Sequence, residues 1–310
     1  MPVPTFKLSD GMTIPALNSG AGHPNDKTPG ISSLLIKEGV RALDTAQAYL
    51  TETGTGDGVR LAEKEHGVPS SEVYITTKVS TEEGDPTKPG IALEDLRQTV
   101  LDRISNLGFQ PNLLLIHNPF VPPKGKLVEF WKILEDMKDK GELTASLGVS
   151  NFRPQDFDEL LPHCKHKPVI NQIEYHPYVL EHLKPNLDIM KEHDILIQAY
   201  RPLTPLLRHP TGGPIKPILE KIAARLSSET GREVDAAMAL LLWIRTKGVI
   251  SVTASSNEER IKKLALTQEL RDLTKDEVDE IEAAGRRVHF RACTEHMTVD
   301  FPSPNLPEDV

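Results

Sequence analysis

The segment "VRALDTAQAYL", residues 40–50, passes from an apolar run directly to the carboxylate of Asp44, and the phenol of Tyr49 follows five residues later. Such an apolar run predicts a buried strand, since strands covered on both faces lack polar alternation. In a closed barrel of parallel strands, the loops after the strands carry the reactive side chains. The segment therefore indicates where a strand ends and where a functional site begins.

Strands and helices alternate along the chain on both sides of this segment. The run "VYITTKV", residues 73–79, is rich in β-branched and aromatic residues and predicts a strand. Residues 92–108 place leucine, valine and isoleucine three or four positions apart, which predicts a helix that ends at Gly108. About eight strand–helix units follow one another, and this alternation indicates a parallel sheet.

A closed barrel fits these units better than an open sheet does. An open dinucleotide-binding sheet usually carries a glycine-rich fingerprint after its first strand, but this chain has only Gly20-x-Gly22 without a third glycine. We therefore predict an α/β fold, a (β/α)8 TIM barrel. An N-terminal β-hairpin with Asp10-Gly11 as its turn precedes the barrel, and a C-terminal tail loop follows it. No composition break divides the chain, so residues 1–310 are expected to form a single domain.

The composition excludes several classes of partner. The 310 residues carry a net charge of −9, which argues against nucleic acid or an anionic membrane as a partner. The sequence has no signal peptide and no apolar run long enough to cross a bilayer. Its only cysteines, Cys164 and Cys293, favour a reducing, cytoplasmic setting. An anionic small molecule remains compatible with this charge, and a monomer or weak dimer is expected.

Four polar residues lie at the predicted ends of three consecutive strands. Asp44 and Tyr49 follow the second strand, Lys78 lies near the end of the third, and His117 ends the fourth. Each has an ordinary structural reading as a turn former, rim residue, solvated cation or structural histidine. Together they form a set that can transfer a proton.

The chemistry of this set suits a carbonyl oxygen that gains negative charge. A free tyrosine has a pKa near 10, and a nearby lysine cation lowers that pKa. Asp44 would keep Lys78 charged, and His117 would hold the substrate oxygen in position. The hydride that such a reduction needs is what a nicotinamide supplies.

A metal site is the alternative chemistry suggested by "LPHCKHKP", residues 161–168. The spacing of His163, Cys164 and His166 suits neither one strand face nor one helix face, and no open ligand triad is evident. We therefore predict no metal site.

At this point the chain resembles the aldo-keto reductase superfamily over nearly its whole length. The matching motifs, in order, are "LDTAQAY" (43–49), "ITTKV" (75–79), "LLLIHNP" (113–119), "GVSNF" (148–152), "NQIEYHP" (171–177) and "IQAYRPL" (197–203). The resemblance implies that Tyr49 is the proton donor, that Lys78 and Asp44 tune it, and that His117 orients the substrate.

The resemblance also implies a set of cofactor contacts for NADPH (NADP+). Gly20 and Ala21 would border the nicotinamide ring, and Tyr200 would stack on its face. The carboxamide would be bound by Ser150, Asn151 and Gln172, close to Asp44, and the pyrophosphate path would be lined by Arg201 and Leu203. The adenosine end would be bound by Ser255, Ser256, Asn257 and Arg260. As alternatives, Asn151 could simply cap the helix that follows and Gln172 could only satisfy barrel backbone. Ser256 and Asn257 could cap a helix, which does not exclude phosphate binding.

Several positions depart from the family pattern. Ala254 stands where many relatives have a lysine, and Leu264 stands where an asparagine is expected near the adenine. Gly22 and Asn118 each replace a tryptophan, so the substrate pocket, expected to be lined by Gly22, Tyr49, His117 and Asn118, should be wider and more polar. With "TASSNEER" (253–260), the chain is most similar to fungal α-keto amide and conjugated polyketone reductases.

The expected function is therefore NADPH-dependent reduction of aldehydes, α-keto esters, amides, lactones or diketones to alcohols. Two alternatives retain the fold without catalysis: a cofactor-binding regulatory subunit, and a structural protein with no enzymatic role. The presence of all four residues of the proton-transfer set favours catalysis over both.

Overall fold

The structure, a computed structural model, describes residues 3–20 and 24–309. The chain begins with the predicted antiparallel hairpin of β1 (Thr5–Lys7) and β2 (Thr13–Pro15). Gly11 lies in its turn with a φ of +90°, a left-handed value that favours glycine. Leu8 and Ile14 of the hairpin pack against the first residues of several barrel strands, among them Ala42 and Tyr74. The hairpin therefore closes the N-terminal end of the barrel.

Eight parallel strands form a closed barrel within the described residues. In chain order they are β3 (Leu17–Gly20), β4 (Ala42–Asp44), β5 (Tyr74–Val79), β6 (Leu113–Ile116), β7 (Ser146–Ser150), β8 (Ile170–Glu174), β9 (Leu196–Tyr200) and β10 (Ile250–Thr253). The last strand pairs in parallel with both β9 and β3, which closes the ring. The predicted barrel is confirmed, and every strand ends on the same side of it.

Helices cover the outside of the barrel. In chain order they are α1 (Thr28–Lys37), α2 (Glu52–His66), α3 (Leu93–Leu107), α4 (Leu127–Asp139), α5 (Pro154–Leu160), α6 (Leu180–Glu192), α7 (Thr204–Leu207), α8 (Lys216–Thr230), α9 (Ala236–Thr246), α10 (Glu258–Thr267) and α11 (Lys275–Gly285). Helix α3 shows why the spacing predicts them: Leu96, Val100 and Leu107 are buried, and Gly108 ends the helix with a φ of +80°. Among the helices of residues 3–20 and 24–309, none is long and apolar enough to span a membrane.

The tail, residues 286–309, folds back onto the barrel. Phe290 N donates a hydrogen bond to Tyr178 O, and His289 N donates one to Pro307 O. Met297 and Phe301 are buried with the main hydrophobic core. The tail therefore reaches the end of the barrel at which the strands finish.

Candidate active site

A buried ion pair lies inside the barrel between β4 and β5. Lys78 Nζ donates to Asp44 Oδ1 at 2.6 Å and to Thr45 O at 2.9 Å. The lysine side chain is fully buried. Burial opposes its charge, but Asp44, Tyr49 and Glu52 together outweigh that effect, and the pKa of Lys78 is raised. The lysine is therefore an ammonium ion held in one position.

Tyr49 lies above this pair, in a 3-10 turn that follows β4. Lys78 Nζ is 5.1 Å from the centroid of the Tyr49 ring. No hydrogen bond joins these two side chains, which both belong to the described part of the chain. Burial raises the pKa of the Tyr49 hydroxyl more than the Lys78 charge lowers it, so the net direction is upward. The predicted lowering by Lys78 is present, but desolvation, which was not visible in the sequence, outweighs it.

His117 faces Tyr49 across the end of the barrel. Its Nε2 lies 3.4 Å from the Tyr49 hydroxyl, and its Nδ1 lies 2.7 Å from Ser80 Oγ. Burial and then the charge of Lys78 hold the pKa of His117 well below its usual range, so the imidazole is neutral. Ser80 was missed from the sequence. It comes two residues after Lys78, so the alternation of β5 could have placed it on the same face.

Polar side chains of β8 and β9 form a layer around Asp44. Gln172 Nε2 donates to Asp44 Oδ2 at 2.8 Å and to Gln198 Oε1 at 2.9 Å. Ser150 Oγ donates to Gln172 O at 2.8 Å. The carboxylate that holds Lys78 is thus itself held from the opposite side of the barrel.

Asn151 and Tyr200 form a second pair at the strand ends. The Tyr200 hydroxyl donates to Asn151 Oδ1 at 2.8 Å, and Asn151 Nδ2 donates to His117 O at 3.0 Å. Asn151 has a φ of +58° and Arg201 a φ of +49°, both in the left-handed region. These backbone conformations occur directly after β7 and β9, where non-glycine residues under strain often belong to a functional site.

A cavity of about 560 Å³ opens at this end of the barrel. The structure brings to its wall the predicted site residues Gly20, Asp44, Tyr49, His117, Ser150, Asn151, Gln172, Tyr200, Arg201 and Leu203. The lining includes the amide side chains of Asn151 and Gln172, the hydroxyl of Ser150, and the arginines Arg201 and Arg208. This donor set fits a nicotinamide carboxamide and a pyrophosphate.

The side chain of Asn118 lies away from the cavity wall that it was predicted to form. It is fully buried, and its Oδ1 accepts a hydrogen bond from Phe120 N at 2.9 Å. It therefore shapes the loop after β6 and does not line the cavity, so the prediction that it forms a polar wall of the pocket is wrong. The other positions expected to border the ring and pocket, Ala21 and Gly22, lie outside the described residues.

The predicted adenosine-binding residues lie beyond the cavity, at the start of α10. Asn257 caps this helix, since its Oδ1 accepts from Arg260 N at 3.0 Å. Ser255, Ser256 and Arg260 surround the same helix start. Arg260 is exposed, and its guanidinium makes no ion pair within residues 3–20 and 24–309. An unpaired cation beside free helix amides is compatible with a phosphate.

The structure shows the surroundings of Leu264 and Ala254, the two positions near the adenosine end that depart from the family pattern. Leu264 is 8% exposed and packs in a core cluster with Leu35 and Ile36 of α1, so it faces apolar residues rather than solvent. Ala254 is exposed and lines the cavity directly before the start of α10.

The tail supplies three cavity residues that were not among the predicted site residues. Cys293, Glu295 and His296 line the same cavity as Tyr49. They lie far along the chain from the strand ends and follow no periodic pattern, so no local signal identifies them.

Glu174, at the end of β8, anchors this part of the tail. Its Oε1 accepts from Ala292 N at 2.8 Å, and its Oε2 accepts from Cys293 N at 3.0 Å. Burial opposes its charge, but His176 and Arg291 outweigh this and lower the pKa of Glu174 to about 2. A buried carboxylate thus fixes the backbone that carries the cavity residues.

The histidine-rich segment near residues 161–168 has structural partners. His166 Nε2 lies 2.9 Å from Asp139 Oδ1, and Cys164 Sγ donates to Leu160 O. In the part of the chain that the structure describes, no group of three histidine, cysteine, aspartate or glutamate residues could hold a metal ion.

Comparison with known proteins agrees with the geometry. The family model described as "Aldo/keto reductase family" matches residues 24–286. The chain belongs to the aldo/keto reductase family. An NAD/NADP-dependent indole-3-acetaldehyde reductase of Schizosaccharomyces pombe is 34% identical to this family member over 82% of the chain and 83% of the relative. An NADPH-dependent alpha-keto amide reductase of Saccharomyces cerevisiae is 31% identical over 90% of each.

Solved structures of the family share the fold of this reductase-family chain. An aldo/keto reductase from Brucella melitensis has a TM-score of 0.75 and 29% identity, covering 91% of this chain and all of the other. A Bombyx mori aldo-keto reductase in complex with NADP has a TM-score of 0.77 and 26% identity, covering 91% and 93%. The family and barrel predicted from the sequence are therefore confirmed.

Proposed function

We propose that this chain reduces carbonyl compounds to alcohols with NADPH, and that Tyr49 donates the proton to the carbonyl oxygen. The observation that carries the proposal is the 3.4 Å separation of the Tyr49 hydroxyl and His117 Nε2 at the wall of the cavity, beside the Lys78–Asp44 pair. The carbonyl-reductase class and the nicotinamide cofactor follow from family membership, which confirms that part of the prediction.

The proton would move at the Tyr49 hydroxyl. Its raised pKa keeps the phenol protonated at neutral pH, so a proton is available at the start of each turnover. As negative charge develops on the substrate oxygen, the phenol loses this proton. The ammonium of Lys78, 5.1 Å from the ring centroid, then stabilises the tyrosinate. Neutral His117, oriented by Ser80, would hold the substrate oxygen next to the phenol.

The residues around the cavity suit the cofactor. NADPH, when bound, supplies the hydride that the carbonyl carbon accepts. Ser150, Asn151 and Gln172 would hold the carboxamide by exchanging hydrogen bonds that they now make among themselves, and the Tyr200 ring would cover the nicotinamide.

The phosphates would lie further out. Arg201 and Arg208 would face the pyrophosphate, with Leu203 beside it. Ser255, Ser256 and Asn257 at the start of α10, with the guanidinium of Arg260, would bind the 2′-phosphate.

The substrate class rests partly on relatives. The printed names of the Schizosaccharomyces pombe and Saccharomyces cerevisiae relatives specify an aldehyde and an α-keto amide. We propose aldehydes and α-keto esters, amides, lactones or diketones as substrates of this chain. A cytoplasmic setting is part of the proposal, since Cys164 and Cys293 are both unpaired, and a monomer or weak dimer is expected.

A carbonyl panel with NADPH and NADH side by side tests the proposal. Loss of NADPH absorbance with an aldehyde or an α-keto ester is the expected result. Cofactor binding without turnover of any carbonyl would contradict it and would support the regulatory-subunit alternative.

A further inference from the structure

His296 is a second imidazole at the cavity that contains Tyr49 and His117. Its Nδ1 is buried without a hydrogen-bond partner, and across residues 3–20 and 24–309 no hydrogen bond reaches its other nitrogen. Nδ1 is therefore out of reach of a ligand, whereas Nε2 is accessible and has no partner in this part of the protein, so Nε2 is the nitrogen that a ligand in the cavity can bind. The family's reaction, as proposed above, uses only Tyr49 and His117 for the reacting oxygen.

The imidazole of His296 is held in place by its neighbours. Its ring centroid lies 6.3 Å from the centroid of the Phe120 ring. The Arg153 guanidinium lies 5.1 Å from the centroid of that same Phe120 ring. Arg153 is fixed by Asp156 and donates to Val299 O of the tail. The backbone on the other side of His296 is fixed where Cys293 N binds Glu174. Because these contacts hold the segment in one conformation, the imidazole of His296 is preorganised for binding.

We propose that His296 binds a second oxygen atom of the substrate, next to the reacting carbonyl, and so makes the chain selective for 1,2-dicarbonyl compounds. A neutral imidazole carries one N–H, which the second carbonyl oxygen accepts. Burial lowers the pKa of His296, so the neutral form is present at neutral pH. The reduction itself adds one hydride and one proton to the first carbonyl only, and the second carbonyl is bound unchanged.

The charge of the other groups around His296 is consistent with an uncharged ligand. Glu295 and Asp85 raise its pKa, whereas Arg153 lowers it, so charges of both signs surround the ring. A neutral diketone or keto ester can enter such a site without leaving a new charge unpaired. A substrate with a single oxygen leaves the His296 N–H without a partner.

A pair of four-carbon substrates tests the inference, which rests on the proposed function. For diacetyl and butanal, kcat and KM are measured with NADPH in the wild type, His296→Phe and His296→Gln. The ratio of kcat/KM for diacetyl to that for butanal is expected to fall about tenfold in His296→Phe, mainly through KM for diacetyl, as for the loss of one hydrogen bond. His296→Gln keeps a side-chain N–H and should retain most of the ratio. Thr294→Ala, in the exposed part of the same tail, should leave it unchanged.

The outcomes separate the inference from the proposed function. An unchanged ratio in His296→Phe, or equal losses on both substrates, would overturn the role of His296 while leaving the reductase activity intact. A wild type that reduces neither substrate nor any other carbonyl would overturn the proposed function and this inference with it. If His296→Phe does not fold, as judged by loss of NADPH binding, His296→Leu removes the same N–H with a smaller side chain and must lower the ratio likewise.

Discussion

Lys78 Nζ lies 2.6 Å from Asp44 Oδ1 in an ion pair that solvent scarcely reaches, since the two side chains are 0% and 4% exposed. Removing one partner of such a pair leaves the other charge buried and unpaired. Because the same ammonium lies beneath the Tyr49 ring, the pair links the stability of the barrel to the electrostatics of the proposed proton donor.

Lys78→Met tests this link. The variant should lose roughly 10²- to 10⁴-fold in kcat/KM for an aldehyde, since the tyrosinate has no cation beside it, and about 3–5 kcal/mol in free energy of unfolding, since Asp44 is left unpaired. Steady-state kinetics and urea denaturation measure both. Lys64→Met, at an exposed position of α2, is the control and should change neither. Turnover of the Lys78 variant near that of the wild type would remove Lys78 from the mechanism.

Tyr49→Phe removes the proposed proton and little else. The hydroxyl is hydrogen-bonded to His117 alone within the described residues, so the ring and the fold should stay in place. Carbonyl reduction should fall by at least about 10²-fold, the usual contribution of a general acid. NADPH binding, measured by fluorescence titration, should be nearly unchanged. Strong residual turnover would mean that another group supplies the proton.

The pH profile follows from the directions of two pKa shifts. Tyr49 acts in its protonated form, and its pKa is raised, so activity is present below that pKa and is lost as the pH rises through it. His117 acts in its neutral form, and its pKa is far below 6.5, so no decline is expected near neutral pH. The kcat/KM for carbonyl reduction should therefore be flat through neutrality and decline only above about pH 10. A decline centred near pH 7 would contradict both assignments.

Arg260→Ala tests the phosphate site at the start of α10. The variant should weaken NADPH binding about tenfold or more, because a charge-assisted contact to the 2′-phosphate is lost. NADH binding, measured under the same conditions, should change little. Lys262→Ala is the matched control, since that lysine is paired with Glu258 and Glu259 on the same helix. Equal losses for both cofactors in the Arg260 variant would place the 2′-phosphate elsewhere.

Glu174→Gln tests the anchor of the tail. The glutamine keeps the shape but removes the charge that faces Arg291, which should lower the free energy of unfolding by about 3 kcal/mol at neutral pH. The pKa of Glu174 falls from about 4.5 to about 2 on folding, so this stabilisation is present above pH 4.5 and lost as the pH falls towards 2. Denaturant unfolding of both proteins at several pH values should show the difference shrinking below pH 4.5. Glu280→Gln, an exposed surface pair with Lys221, should give no comparable difference.

Local patterns in the sequence were sufficient to predict the barrel and to place the four proposed catalytic residues at its strand ends. The spacing of apolar residues in α3 reflects a helix buried on one face, and the apolar run that ends at Asp44 reflects a strand buried on both faces. Each kind of burial produces its own repeat in the sequence. Parallel strands then bring their ends together wherever they lie in the chain. The single-domain organisation stays a prediction.

Contacts between distant segments could not be predicted in this way. The direction of the Tyr49 pKa depends on desolvation by the assembled site, and Asn118 turned inward because the loop after β6 uses its amide. The tail reaches the cavity through contacts with residues far away in sequence, among them Glu174, which lies more than a hundred residues before the tail segment that it binds. None of these contacts leaves a periodic trace.

The proposed catalytic side chains project from the ends of β4, β5 and β6, whereas one wall of the cavity is formed by a non-repetitive tail segment, residues 292–299. Hydrogen bonds to Glu174 and Arg153 fasten this segment, the strap, at its two ends. A one-residue insertion in β5 would turn Lys78 away from Asp44, but insertions between the fastened points of the strap would leave that strand in register. Divergence of substrate range in descendants of this chain should therefore proceed through changes of length in the strap. Laboratory evolution aimed at new carbonyl substrates should diversify the same segment.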